Sequence, residues 1–159
     1  MTHLPRWAEL PDLELYLDQV LGLLEKHLAP FFPCAGGPVM TASMVNNYVK
    51  QRLLPAPVKK RYTRRHVSLL LMIGILKPAF ALPQIKALLG AAQQDDAGAA
   101  AFYDHFCDLL EGACAACGEK AAALSPQHPA VELAVLTVAY QAATQAALPE
   151  EAAPCGGGG

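Results

Sequence analysis

Seven cationic side chains fall within the sixteen residues from Lys50 to Arg65: Lys50, Arg52, Lys59, Lys60, Arg61, Arg64 and Arg65. The wider interval from Thr41 to Gln94 adds Lys77 and Lys86 and contains no Asp or Glu. Outside it, Arg6, Lys26 and Lys120 face all fourteen acids, so a net charge of −2 conceals a central block of +9 and flanks totalling −11. Crowding like charges costs folding free energy through self-repulsion, and such a block predicts a polyanionic partner, nucleic acid first among them. Arg64 and Arg65 carry the sharpest signal. They are predicted to lie in the first turn of a helix capped by Thr63, where a cation opposes the macrodipole at a cost of about 0.3–1 kcal/mol. A phosphate at that helix end would turn the penalty into attraction. Lys59, Lys60 and Arg61 adjoin the same point, so the expected DNA phosphate-binding set is Lys59, Lys60, Arg61, Arg64 and Arg65. The nucleic-acid reading as a whole rests on this helix end: it fails if the two arginines face apart or are clasped by the chain's own carboxylates.

A second chemistry-bearing group precedes the cations. Asn46, Asn47, Lys50 and Gln51 fall on the polar side of a short helix whose apolar side is Met44, Val45, Tyr48 and Val49. Asn and Gln can bond bidentately to adenine and Lys can contact guanine, so Asn46, Asn47 and Lys50 are the expected base-contacting residues. The same pattern also describes an ordinary amphipathic helix that needs no partner. His105, Cys107, Cys114 and Cys117 raise a metal or thiol-sensing alternative through the Cys114-x-x-Cys117 spacing. Helical projection argues against it, because Tyr103, Phe106, Leu110, Cys114 and Cys117 share one face, and cysteine on an apolar face usually packs as a small hydrophobe. No Gly-rich phosphate loop, nucleophile elbow or carboxylate pair is present, so neither an enzyme nor a cofactor or metal is expected.

The elements that must position these residues read as helices. The first is predicted from Pro11 to Leu28, a second from Ser43 to Gln51, ended by Leu53-Leu54-Pro55-Ala56-Pro57, and a third from Arg64 to Leu76 with an almost wholly apolar interior. Val58 to Tyr62 between the last two reads as a compact basic loop or minimal hairpin, with Tyr62 anchored in the core. Pro83 opens a short helix through Leu89, and Gln93 to Gly98 reads as a linker. Two Ala-rich helices, about 99–123 and 129–148, follow across a turn marked by Pro126 and Pro129. The fold class is all-α. The organisation is a helical domain over 1–95 with its core at 40–90, a helical hairpin over 96–148 suited to homodimerisation, and a mobile tail over 149–159. The five cysteines, an odd count without secretory context, argue against a disulfide framework. The start of the chain has no signal-peptide pattern and no apolar run suits a membrane span, so a cytoplasmic protein is expected.

Four segments carry a family resemblance. Met44 to Pro55, MVNNYVKQRLLP, is similar to the recognition-helix segment of MerR-type winged helix-turn-helix proteins, and Lys60-Arg61-Tyr62 to the Arg-x-Tyr closing their wing. The ladder Val67, Leu70, Ile73, Leu76 resembles the helix after the wing, and AFALPQIKALL at 79–89 resembles the helix after that. The chain also resembles an uncharacterised bacterial family with an Asn-Asn-Tyr-Val-Lys core and a MerR-like centre. Arg52 stands where the MerR pattern has glycine, Asn46 where it often has arginine, and Ala81 where it has a serine cap. The pattern's first helix, normally just before residue 41, is replaced by the loop from Pro30 to Pro38. The resemblance implies a winged helix-turn-helix with a minimal wing, binding double-stranded DNA as a dimeric transcriptional regulator; no residue pattern identifies an effector. A protein-interaction module that docks an acidic partner, or the chain's own acidic flanks, on the basic surface is the alternative reading.

Overall fold

A computed structural model describes residues 3–33, 36–90, 95–124 and 128–149. Its six helices among the described residues are α1 (Leu17–Leu28), α2 (Ala42–Lys50), α3 (Arg64–Leu76), α4 (Leu82–Leu88), α5 (Asp96–Ala122) and α6 (Pro129–Ala147). The fold is all-α; the only extended pairings among these residues are isolated bridges, Leu15 with Tyr62 and Val58 with Arg61. No described helix is long and apolar enough to cross a membrane.

α3 is the axis. Every residue from His66 to Gly74 is buried, as a sequence apolar but for His66 and Ser68 demands. α1 covers one side through Val20, Leu24 and Leu28, α2 contributes Val45 and Tyr48, and Leu53, Leu54, Ile85 and Leu89 close the remaining gaps. Gly74 permits the α1 contact, because a methyl group there would overlap the side chain of fully buried Leu28. α1 and α2 pack together despite the long loop between them.

Two expected boundaries move. The first helix begins at Leu17 rather than Pro11, because Leu15 exchanges both backbone hydrogen bonds with Tyr62 at 2.8 Å and holds the chain extended. Gln19 then caps the amide of Tyr16 at 2.9 Å. The domain boundary expected at 95/96 falls inside the core. Asp95 caps α5 by accepting from the Gly98 amide at 2.9 Å, and Tyr103 and Cys107 join the same buried cluster as α3. Residues 96–98 are therefore helical rather than linker. Residues 93 and 94 of that linker, the Pro126 part of the predicted turn, Cys34, and the tail from 150 onward including Cys155 lie outside the described residues.

The N-terminal segment straps across α5. The Tyr103 hydroxyl donates to the Pro5 carbonyl at 2.8 Å, the Trp7 amide donates to Asp104 Oδ1 at 2.7 Å, and Arg6 reaches Glu111 at 2.8 Å and Asp108 at 3.0 Å. Burial raises the Tyr103 phenol far above its ordinary pKa, so it remains a donor at all physiological pH values. Tyr103→Phe keeps the ring but strands a buried carbonyl, and is expected to lower unfolding free energy by about 1–3 kcal/mol in a urea titration. An unchanged midpoint would show that the strap contributes nothing to stability.

Candidate functional site

The loop between α2 and α3 determines how the cations are displayed. Leu53 and Leu54 turn inward and Pro55 to Pro57 bring the chain back to Val58, whose carbonyl accepts from the Arg61 amide at 2.9 Å. Lys59 and Lys60 form the two-residue tip of this minimal hairpin, with φ of 49° and 61°. Positive φ at both central positions is the type I′ pattern that normally selects Asn-Gly. Arg52, at φ 55°, occupies the left-handed position just beyond α2, where helices usually place glycine. Among the described residues these three cations are the only non-glycine residues at positive φ. Each is exposed and makes no ion pair with any described residue.

The base-contact candidates share this surface. Ser43, Asn46, Asn47 and Lys50 recur at helical spacing, are exposed, and border one shallow recess on the outer face of α2. Thr41 begins the helix by accepting from the Met44 amide at 3.3 Å, and Val45 and Tyr48 seat its opposite face in the core. A neighbouring recess joins Asn46 to Lys60 and Tyr62, with Asp18 on its wall. Arg61 lies over the Tyr16 ring at 3.8 Å, a cation–π contact that fixes the base of the hairpin. Tyr62 is buried as the sequence predicts, its ring edge-on to His66 with centroids 5.5 Å apart.

Arg64 and Arg65 do not meet the condition set on them. Arg64 Nη2 lies 3.3 Å from Asp12 Oδ1 and Arg65 Nη1 lies 3.9 Å from Asp96 Oδ1. Both arginines are half-buried in a recess lined also by Trp7, Glu14 and Thr63. The acids come from the negative flanks, folded back beside the start of α3. The expected five-residue phosphate set is thus divided: Lys59, Lys60 and Arg61 stand with the α2 face, whereas Arg64 and Arg65 stand in a mixed-charge recess. Sequence reasoning passed over Arg52 as a site residue. Its place in the glycine position of the MerR pattern was the available signal.

At the start of α3, His66 does the capping work. Its Nδ1 accepts from the Thr63 amide at 3.0 Å and lies 2.9 Å from the Thr63 hydroxyl. Only neutral imidazole, protonated at Nε2, can accept there. Burial lowers the His66 pKa, the backbone carbonyls of Pro55 and Ala56 partly oppose the shift, and Arg65 adds to it. The thiol-sensor alternative gains little. Cys107 is buried, where burial raises its pKa, while Cys114 and Cys117 are exposed because α5 has by then run past the core. Helical projection places these two on the apolar face, but beyond Leu110 that face is no longer buried in the core. Among the described residues no cluster of His, Cys, Asp and Glu is suited to a metal ion.

A family profile described as Domain of unknown function (DUF1836) matches residues 5–106. It takes in the N-terminal strap, α1 to α4 and the buried first part of α5, stopping where α5 leaves the core. No curated protein and no solved structure matches the chain.

Because the folded His66 pKa lies below that of the unfolded chain, the unfolded state binds more protons as pH falls through about 6.5, and folding stability drops with it. His66→Gln retains a side-chain acceptor at the capping position without the titration. Its unfolding free energy is expected to fall less than that of the parent between about pH 7.5 and pH 5. Parallel pH profiles for the two proteins would remove His66 as the source.

Proposed function

This chain belongs to the DUF1836 family, and we propose that it is a MerR-like, DNA-binding transcriptional regulator. In this reading, α2 lies in the major groove with Asn46, Asn47 and Lys50 toward base edges. Lys59, Lys60, Arg61 and Arg52 contact phosphates on either side. With Arg64 and Arg65 held by Asp12 and Asp96, the sequence argument from the start of α3 no longer supports this reading, and the observation that carries the proposal is instead the backbone at Arg52, Lys59 and Lys60. A non-glycine residue held in the left-handed region costs on the order of 1–3 kcal/mol, and strain of this kind is characteristic of functional sites. Here it falls only on exposed cations where glycine or asparagine would be cheaper. Polyanion binding gives those side chains a reason to be there.

The hairpin tip supplies a test that separates function from folding. Lys59→Asn/Lys60→Gly installs the preferred type I′ pair, so the double variant is expected to be more stable than the parent by about 1 kcal/mol or more. It is also expected to bind random duplex DNA more weakly, with the slope of log K against log salt reduced by about 2. Duplex affinity unchanged by the double substitution, or no duplex binding by the parent at low salt, rejects the proposal.

A dimer completes this reading. α6 has no buried residue, and Val131, Val135 and Val138 form an exposed stripe on it. Leu133, Leu136 and Tyr140 border a groove shared with Ala113, Ala116 and Cys117 of α5. Apolar stripes of this kind mark interfaces, and a second copy pairing hairpin to hairpin would double a small DNA footprint and call for a palindromic site. Light scattering on the eluting protein is expected to give twice the chain mass, and Val135→Glu/Val138→Glu to halve it. A monomeric parent would exclude this arrangement.

The ion pairs of Arg64 with Asp12 and Arg65 with Asp96 favour a second reading, a protein-interaction module whose basic surface receives acidic segments. Fluorescence anisotropy with duplex DNA at moderate salt separates the two, since only the regulator binds.

A further inference from the structure

A cleft of about 640 Å³ opens behind α2, on the side away from Asn46, Asn47 and Lys50. Its size is that of a small-molecule site. Phe31, Phe32, Val39 and Met40 from the α1–α2 loop form one wall, Met44 and Tyr48 of α2 form a second, and Gly74, Lys77 and Pro78 at the end of α3 form the third. One charged group stands at the edge of the apolar lining. Lys77 is exposed at the rim without an ion pair to any described residue, placed where the carboxyl end of α3 favours a cation.

We propose that this cleft binds a small amphipathic carboxylate, its apolar body against the aromatic and methionine wall and its carboxylate on the Lys77 ammonium. The lining fits that chemistry and disfavours others. A sugar or nucleotide would leave many polar groups unmatched against phenylalanine, methionine and proline, whereas a wholly neutral hydrocarbon would not use Lys77, the cation among the described lining residues. Methionine and aromatic side chains suit ligands of variable shape. Occupancy bears on α2 directly, since Met44 and Tyr48 touch the ligand while Asn46, Asn47 and Lys50 face outward from the same two turns. Only this last consequence rests on the DNA-binding reading; binding itself does not.

Calorimetric titration of the full-length chain with octanoate, and separately with 1-octanol, tests the proposal without DNA. Octanoate is expected to bind at one saturable site per chain. Lys77→Gln, an exposed position, should weaken octanoate about tenfold while leaving octanol unchanged, as loss of a charge-assisted contact requires. Val39→Trp, which fills the cleft from its half-exposed loop wall, should abolish binding of both. Absent or unsaturable octanoate binding, octanoate binding that survives Val39→Trp, or equal effects of Lys77→Gln on both probes overturns it.

Discussion

A helix that is apolar on every side can exist in water only if every side is covered, and α3 sets that condition for the rest of this fold. From His66 to Gly74 it exposes nothing. α1 must therefore lie along it, the N-terminal strap and the start of α5 must close the far side, and Leu53, Leu54 and Tyr62 must turn inward from the connecting loop. Each covering element brings its own polar residues to the edge of the core, and those edges are the candidate sites. The amino end of α3 emerges among Thr63, Arg64 and Arg65; its carboxyl end emerges at Gly74 and Lys77 on the apolar cleft. α2 lies between the two, one face committed to the core and the other to solvent.

That constraint explains why the α2–α3 connection is so tight and where its strain collects. Leu53 and Leu54 have to enter the core immediately after α2 ends, so the chain reverses at Arg52. Tyr62 has to enter it immediately before α3, and it is fixed in register by its reciprocal bonds to Leu15. Only a two-residue tip fits between Val58 and Arg61, and a tip of that length demands positive φ twice. The geometry of the core therefore dictates left-handed backbone at these places. It does not dictate lysine and arginine, and the selection of cations at all three is what the proposed interface accounts for.

Much of this was legible in the residues. The run after Thr63 marked α3 over Arg64 to Leu76, the start of α2 read one residue late, at Ser43 rather than Ala42, and the prolines after Leu54 marked its end. Tyr48 and Tyr62 read as core. The failures share a physical cause, namely that sequence periodicity describes one element and not what another element does to it. Pro11 to Tyr16 has helical composition, yet pairing with Tyr62 pulls it straight. Cys114 and Cys117 lie on a face continuous with Tyr103 and Leu110, but the core ends before they are reached. Asp12 and Asp96 are distant in sequence from Arg64 and Arg65, and only the packing of the strap and α5 against α3 brings them alongside. The apolar cleft was invisible for the same reason, being assembled from three separated segments.

The paired arginines show how the charge of this surface is to be understood. Asp12 and Asp96 are 91% and 85% exposed, and their contacts, at 3.3 and 3.9 Å, are single and unsupported by further bonds. Such pairs contribute under about 1 kcal/mol and are screened by salt. They hold the guanidinium groups in place without removing their charge from the start of α3, whose free amides favour an anion. Lys59, Lys60 and Arg52 have no such partners among the described residues and are more exposed. A polyanion approaching this face would meet the unpaired cations first and the two arginines only after displacing weakly held, solvated carboxylates.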